Sequence, residues 1–249
     1  MNLFKKRIPE NIRVIDIHSH ILPGIDDGSQ NIEESLNIAR IAADNYITDI
    51  ICTPHYKQYV DSADPEFVKK LVKELQEKLA ENSIDIRLYP GNEIMHYVEM
   101  GDKNEFLSMN DSDYLLIEFD PHVTFNKLLN ESINLTRIGH KVILSHAERY
   151  FCLLEDMDNI GRLIDNGILI QVNSNSVIIK ENRQIFRFVD RLLKNKYVDF
   201  VATDAHDTDY RKPNMKACAE YLYQNFEKEY VDEILYLNAE RLLVKRNGR

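Results

Sequence analysis

Two periods alternate along the chain. Short runs dense in apolar and β-branched residues recur at Val14–Ile17, Asp49–Thr53, Ile86–Tyr89, Tyr114–Phe119, Lys141–Ser145, Ile168–Asn173 and Val198–Thr203. Most stretches between them repeat apolar residues every three or four positions: Ile32–Asn45, Pro65–Asn82, Phe125–Gly139, Leu154–Asn166 and Arg183–Asn195. The first period predicts strands and the second amphipathic helices. Asn31 and Asp64 stand where helix caps stand, Pro65 follows at a first helical position, and Gly139 and Gly167 fall where a helix end wants a left-handed residue. Met215–Val244 reads as two or three closing helices. Seven strands alternating with helices predict a parallel α/β sheet, and the pattern allows a closed (β/α) barrel or an open doubly wound sheet. No composition break, repeat or low-complexity run divides the chain. Residues 14–249 are therefore expected to form a single domain behind an N-terminal extension, residues 1–13.

What stands at the carboxyl ends of these strands changes the picture. The first is followed by His18, His20 and Asp27, in DIHSHILPGIDDGS, and the second by His55, in ICTPH. Glu93 follows the third, in YPGNE; Glu118 ends the fourth, in LLIEF; His146 ends the fifth, in VILSHAER; Asp204 and His206 follow the seventh, in VATDAH. In a parallel barrel those ends share the face on which active sites are built. Each residue alone is as often a strand cap or a paired structural group, and His96, His122 and His140 read that way. Nine candidates all at strand ends favour one shared metal cluster. His18 with His20, and Asp204 with His206, stand two apart, so each pair faces one side, and the two pairs meet if first and last strands close a barrel. Imidazole with carboxylate and no thiolate selects ions such as Mn, Fe or Zn, and nine side chains suit two ions or three. Asp26 is the alternative to Asp27. Arg149 and Arg211 lie just beyond the cluster, where a guanidinium suits a phosphate; the plain alternative is surface pairing with Glu148 or Asp209.

Composition removes other classes. The chain has 249 residues, 44% hydrophobic and 29% charged, with a net charge of -10, which disfavours nucleic acid or an anionic membrane as a general partner. No apolar run is long enough to span a bilayer and the first residues do not read as a secretory signal, so an integral membrane protein is not expected. Three cysteines without a CxxC point to a reducing, cytoplasmic setting. None has an arginine six residues on, which speaks against cysteine-phosphatase chemistry, and no phosphate-binding GxxxxGK[ST] occurs.

The series DIHSHILPGIDDG, TPH, GNE, LIEF, SHAERY and TDAH resembles the polymerase-and-histidinol-phosphatase (PHP) superfamily, and within it the bacterial capsule-operon protein-tyrosine phosphatases. The likeness runs from about Val14 to the end of the chain. It implies a distorted (β/α)7, TIM-like barrel with three divalent metals, manganese above all, with iron or zinc as alternatives. By that family's motifs, one metal would take His18, His20, Glu93 and Asp204. Glu93 would bridge to a second with Glu118 and His146, and a third would take Asp27, His55 and His206. Arg149 and Arg211 resemble the substrate-phosphate arginines, and the substrate would be phosphotyrosine on a bacterial tyrosine kinase that controls polysaccharide synthesis and export. A hydroxide bridging two metals would then attack phosphorus in line, with no phospho-enzyme. Gln171–Asn175, QVNSN, resembles the family's Q-x-N-S segment and takes at most a substrate-orienting role. Met95–Asp111 departs from the family's pattern, which leaves the shape of the substrate mouth open. The rivals are a PHP phosphoesterase for a small metabolite such as histidinol phosphate, an amidohydrolase-like barrel acting on C–N bonds, and a metal-dependent scaffold in a polysaccharide export complex.

Overall fold

A computed structural model describes residues 8–57, 64–96 and 106–244. Residues 1–7 of the expected extension and most of the divergent Met95–Asp111 region lie outside the described residues. Among the described residues the strands are β1 (Val14–Ser19), β2 (Ile47–Cys52), β3 (His55–Tyr56), β4 (Arg87–Pro90), β5 (Glu93–Met95), β6 (Tyr114–Glu118), β7 (Lys141–Leu144), β8 (Leu169–Asn173) and β9 (Phe200–Ala202). All pair in parallel, β1-β2-β4 in one sheet and β3-β5-β6-β7-β8-β9 in the other. The result is a curled parallel α/β sheet whose first and last strands meet. His20 N–H donates to Ala205 O at 2.8 Å and Asp204 N–H to His18 O at 2.8 Å.

Nine strand segments are described where seven were expected, because two short ones, β3 and β5, follow the expected runs Asp49–Thr53 and Ile86–Tyr89. Pro54, which has no N–H to give, separates β2 from β3. Gly91 separates β4 from β5, where a Cβ would lie 3.0 Å from Ile51 Cγ2. Both breaks fall beside the strand ends that carry His55 and Glu93. The ladder resumes across them through Glu93 N–H to Pro54 O at 3.2 Å.

The helices follow the apolar period. α1 (Ile32–Asp44) starts where Asn31 Oδ1 accepts Glu34 N–H at 3.0 Å, and it buries Leu36, Ile38, Ala39 and Ala42. α2 (Pro65–Glu81) starts at Asp64 in the same way, and α3 is Phe125–Arg137. The single helix expected over Leu154–Asn166 is two, α4 (Phe151–Glu155) and α5 (Asp158–Asp165). Asp156 is extended between them and its carboxylate accepts Asp158 N–H at 3.0 Å, which starts the second. α6 (Ser174–Ile178) was not expected; it follows β8 directly, before α7 (Arg183–Lys194). The tail forms α8 (Met215–Asn225), α9 (Lys228–Asp232), a π-helical turn and α10 (Asn238–Glu240).

Two apolar layers hold this together. Val14, Ile50, Leu115, Ile117, Val142, Leu144, Ile170 and Val201 pack outward against the helices. Ile15, Ile17, Ile51, Leu116, Ile143, Phe200 and Ala202 pack against one another inside. The tail covers the amino end, where Ala239 and Leu242 join that inner cluster and Glu240 pairs with Arg13 at 2.8 Å. The carboxyl ends stay open to solvent. No described helix is long and apolar enough to cross a membrane.

Candidate metal centre

All nine sequence-predicted residues come together at that open end. His18, His20 and Glu93 are buried, as are His146, Asp204 and His206; His55 and Glu118 are partly exposed, and Asp27 is exposed. Two of them sit on unusual backbone. His146 (φ 31°) and Asp204 (φ 53°) are left-handed at the ends of their strands, a conformation that costs roughly 1–3 kcal/mol in a residue other than glycine.

Buried hydrogen bonds set which nitrogen faces inward in His18, His20 and His206. Asp26 Oδ2 lies 2.7 Å from His20 Nδ1 and also accepts His55 N–H at 3.1 Å, while Asp26 Oδ1 accepts Gly28 N–H at 2.9 Å. Asp26 is thereby an acceptor that orients His20. Asp27, the other half of the ambiguous pair, instead faces His55 Nε2 at 3.4 Å and His206 Nε2 at 3.5 Å. His206 Nδ1 is held by Asp204 O at 3.0 Å. His18 Nδ1 is held by Gln171 Oε1 at 3.2 Å.

What then converges is a set of lone pairs. His18 Nε2 is 3.2 Å from His20 Nε2, 3.2 Å from Glu93 Oε2 and 3.4 Å from Asp204 Oδ1. Donor atoms that share one ion at about 2.1 Å stand about 3.0–3.4 Å apart. Glu93 turns its other oxygen, Oε1, to His146 Nε2 at 2.9 Å, and Glu118 Oε1 is 3.3 Å from the same nitrogen. Three groups of donor atoms fit around a metal: His18, His20 and Asp204; His55, Glu93 and Glu118; and His20, Asp27, His55 and His206. His206 Nε2 and Glu118 Oε2 are buried with no hydrogen-bond partner, as expected of donors reserved for an ion. On donor type, spacing and these orphaned atoms, the residues fit divalent metal.

The electrostatics agree. Burial alone would raise the Glu93 carboxyl, yet His18, His146 and His20 hold it well below the usual carboxylate range. Asp204 is likewise buried and held low by His18 and Arg149. In their field the His20 ring overcomes its burial, through Asp26 and Glu93, and is pushed up to about 10. His146, against its burial, is raised by Glu118 and Glu93 to about 9. The centre thus draws in positive charge. At the rim, burial and the neighbouring His20 lower His206 to about 4, and burial lowers His55.

Arg149 and Arg211 do not pair with Glu148 or Asp209 as the plain alternative would have it. Both reach Asp204: Arg149 through Nη2, and Arg211 Nη2 at 3.0 Å. Both side chains stay over one-third exposed, so the mouth of the cluster is lined with cations on an acidic protein. Gln171 and Asn173 are both buried, bonded to His146 N–H and to Asp204. Cys52 and Cys218 are buried, and burial pushes both thiols up, away from nucleophile chemistry.

A curled parallel α/β sheet with a histidine–carboxylate cluster and two arginines at the carboxyl ends of its strands has the makings of a metal-dependent hydrolase. The chain belongs to the family described as capsular polysaccharide synthesis, CpsB/CapC, whose family model matches residues 14–244. It is 34% identical to the tyrosine-protein phosphatase YwqE of Bacillus subtilis (strain 168), over 92% of this chain and 91% of that protein. It is 33% identical to the putative tyrosine-protein phosphatase CapC of Staphylococcus aureus, over 80% of this chain and 79% of that protein. Among solved structures it superposes with TM-score 0.86 and 32% identity, covering 92% of this chain and 94% of the other. That structure comes from work on YwqE from Bacillus subtilis and CpsB from Streptococcus pneumoniae, described as unique metal-dependent tyrosine phosphatases.

Proposed function

We propose that this chain is a metal-dependent protein-tyrosine phosphatase of capsule synthesis, working in the cytoplasm on a bacterial tyrosine kinase. The observation that carries this reading is the convergence of unshared lone pairs at His18, His20, Glu93 and Asp204 beneath two partly exposed arginines. The barrel is read as a distorted (β/α)7, each interrupted run counting as one strand. Three ions, manganese first, would be held by His18, His20, Glu93 and Asp204; by Glu93, Glu118 and His146; and by Asp27, His55 and His206. His20 and His55 stand close enough to neighbouring groups to be shared between them. Bound divalent metal supplies a water acidified toward neutral pH and positive charge against phosphoryl oxygens. Arg149 and Arg211 hold the phosphoryl group over the cluster and offset the charge that grows on its oxygens. The phenolate of tyrosine, with a reference pKa near 10, is a fair leaving group. The small-metabolite alternative draws no support from the relatives described above, both named as tyrosine-protein phosphatases.

The test is to count metals per chain and assay a phosphotyrosyl peptide before and after chelation. Expected are two or three metals, chelator-sensitive release of phosphate, and loss of kcat/KM by roughly 100-fold or more in Arg149→Ala. Preference for histidinol phosphate, or a trapped phosphocysteine, overturns the reading.

A further inference from the structure

Behind the cluster lies a chain of buried side-chain amides that the reaction itself does not use. Gln171, on β8, is fully buried; Asn173, at the end of the same strand, is 6% exposed. Gln171 Oε1 accepts His146 N–H at 2.8 Å and stands 3.2 Å from His18 Nδ1. Gln171 Nε2 donates to Asn173 Oδ1 at 2.9 Å, and Asn173 Nδ2 donates to Asp204 Oδ2 at 2.9 Å. Asn173 N–H is anchored in turn on buried Glu148, at 2.9 Å.

The direction of every bond in this chain is forced. A backbone N–H can only donate, so the Gln171 atom facing His146 is oxygen. That oxygen can only accept, so His18 Nδ1 carries the proton and its Nε2 presents a lone pair to Glu93 and Asp204. The nitrogen end of Gln171 then meets the oxygen of Asn173, whose own nitrogen meets Asp204 Oδ2. Asn173 and Arg149 sit on Oδ2 while Arg211 Nη2 spans both oxygens at 3.0 Å, and Asp204 Oδ1 is the oxygen turned toward His18 and His20. One strand thus sets the tautomer of one proposed ligand and the rotation of another. Groups that hold a metal-bound imidazole by its far nitrogen commonly contribute 10–100-fold to metal affinity.

We propose that Gln171 and Asn173 are positioning residues: a buried amide relay that fixes His18 as its Nδ1–H tautomer and turns Asp204 Oδ1 inward, and so sets the metal affinity of the centre. The proposal rests on the reading of His18 and Asp204 as ligands. The test titrates manganese-loaded protein with a graded chelator and follows retained metal in wild type, Gln171→Leu, Gln171→Glu and His18→Ala. Gln171→Leu supplies no acceptor, and a 10–100-fold loss of manganese affinity is expected. Gln171→Glu keeps an accepting oxygen for His18 and His146 but sets its other oxygen against Asn173 Oδ1, so it spares only the His18 arm and a clearly smaller loss than in Gln171→Leu is expected. Unchanged affinity in Gln171→Leu, or an equal loss in Gln171→Glu, overturns the relay. Nitrogen-15 histidine spectra of the zinc-loaded wild type decide the matter even if Gln171→Leu does not fold: a protonated His18 Nδ1 supports it and a protonated Nε2 overturns it. His18→Ala with unchanged affinity would instead remove the reading of His18 as a ligand.

Discussion

A single methyl group tests how closely the aspartate loop is fitted to β1. A Cβ on Gly28 would sit 2.1 Å from the His20 carbonyl oxygen and 2.5 Å from His20 Cβ, so neither atom can stay where it is. Gly28→Ala is expected to displace Asp26 and Asp27 together. It should lower metal retention and phosphatase activity at least tenfold while the melting transition stays cooperative; unchanged metal content would show that the loop is free to move. The sequence made the ligand types legible, because His and carboxylate residues at strand ends are a pattern of position. It left Asp26 and Asp27 undivided, because a three-residue DDG turn has no period from which to tell which side chain turns in. The same limit hid Gln171 and Asn173. QVNSN drew notice by resemblance alone, and only as a substrate-orienting segment; the contacts of Gln171 and Asn173 with His146, His18 and Asp204 are made across strands and cannot be read along the chain.

At the level of elements, β8 and β9 are joined at their amino ends by Asp199, whose carboxylate accepts Ile170 N–H at 2.8 Å. Burial pushes this carboxyl up to about 6, against the bond from Ile170 and the charge of Arg241. An unfolded aspartate titrates near 4. Between about pH 4 and 6 the folded chain therefore keeps a proton that the unfolded chain has lost. Stability falls through that window as pH rises, and the full cost stands above about 6. Asp199→Asn keeps an oxygen for Ile170 and carries no charge. It is expected to raise stability by about 1 kcal/mol at pH 7.5, part of the shift being screened by solvent, and to change nothing at pH 4, as read from urea midpoints. A gain of equal size at both values would deny the carboxyl this role. Helix starts were legible where a side chain caps them locally, as at Asn31 and Asp64. The break at Asp156 was not, since the apolar period runs through it while a single carboxylate restarts the helix. The short strands β3 and β5 escaped because each is only two or three residues long and follows a Pro54 or Gly91 at which the expected run had already ended.

For the whole molecule, the candidate ligands tie six strands together at one end, so bound metal should brace the fold as well as serve the reaction. An ion that binds only the folded chain at 100 to 1,000 times its dissociation constant adds about 3–4 kcal/mol. Chelation is expected to lower the melting temperature by roughly 5–15 °C for a domain of this size. The same treatment of His18→Ala should have a much smaller effect, and an equal drop in both would place the chelator's action elsewhere. Closed barrel and open sheet could not be separated by periodicity, because both alternate strand with helix. What the structure adds is that the sheet curls until its first and last strands touch, which brings His18 and His20 beside Asp204 and His206. That meeting also dictates when the protein can first act. Its earliest histidine pair leaves the ribosome long before its last histidine; His206 stands 186 positions after His20, and the delay is roughly 10–40 s at ordinary rates of synthesis. With Asp204 and His206 taken as part of the centre, a nascent chain is expected to show no phosphatase activity until β9 has emerged, and a chain cut short before it to stay inert.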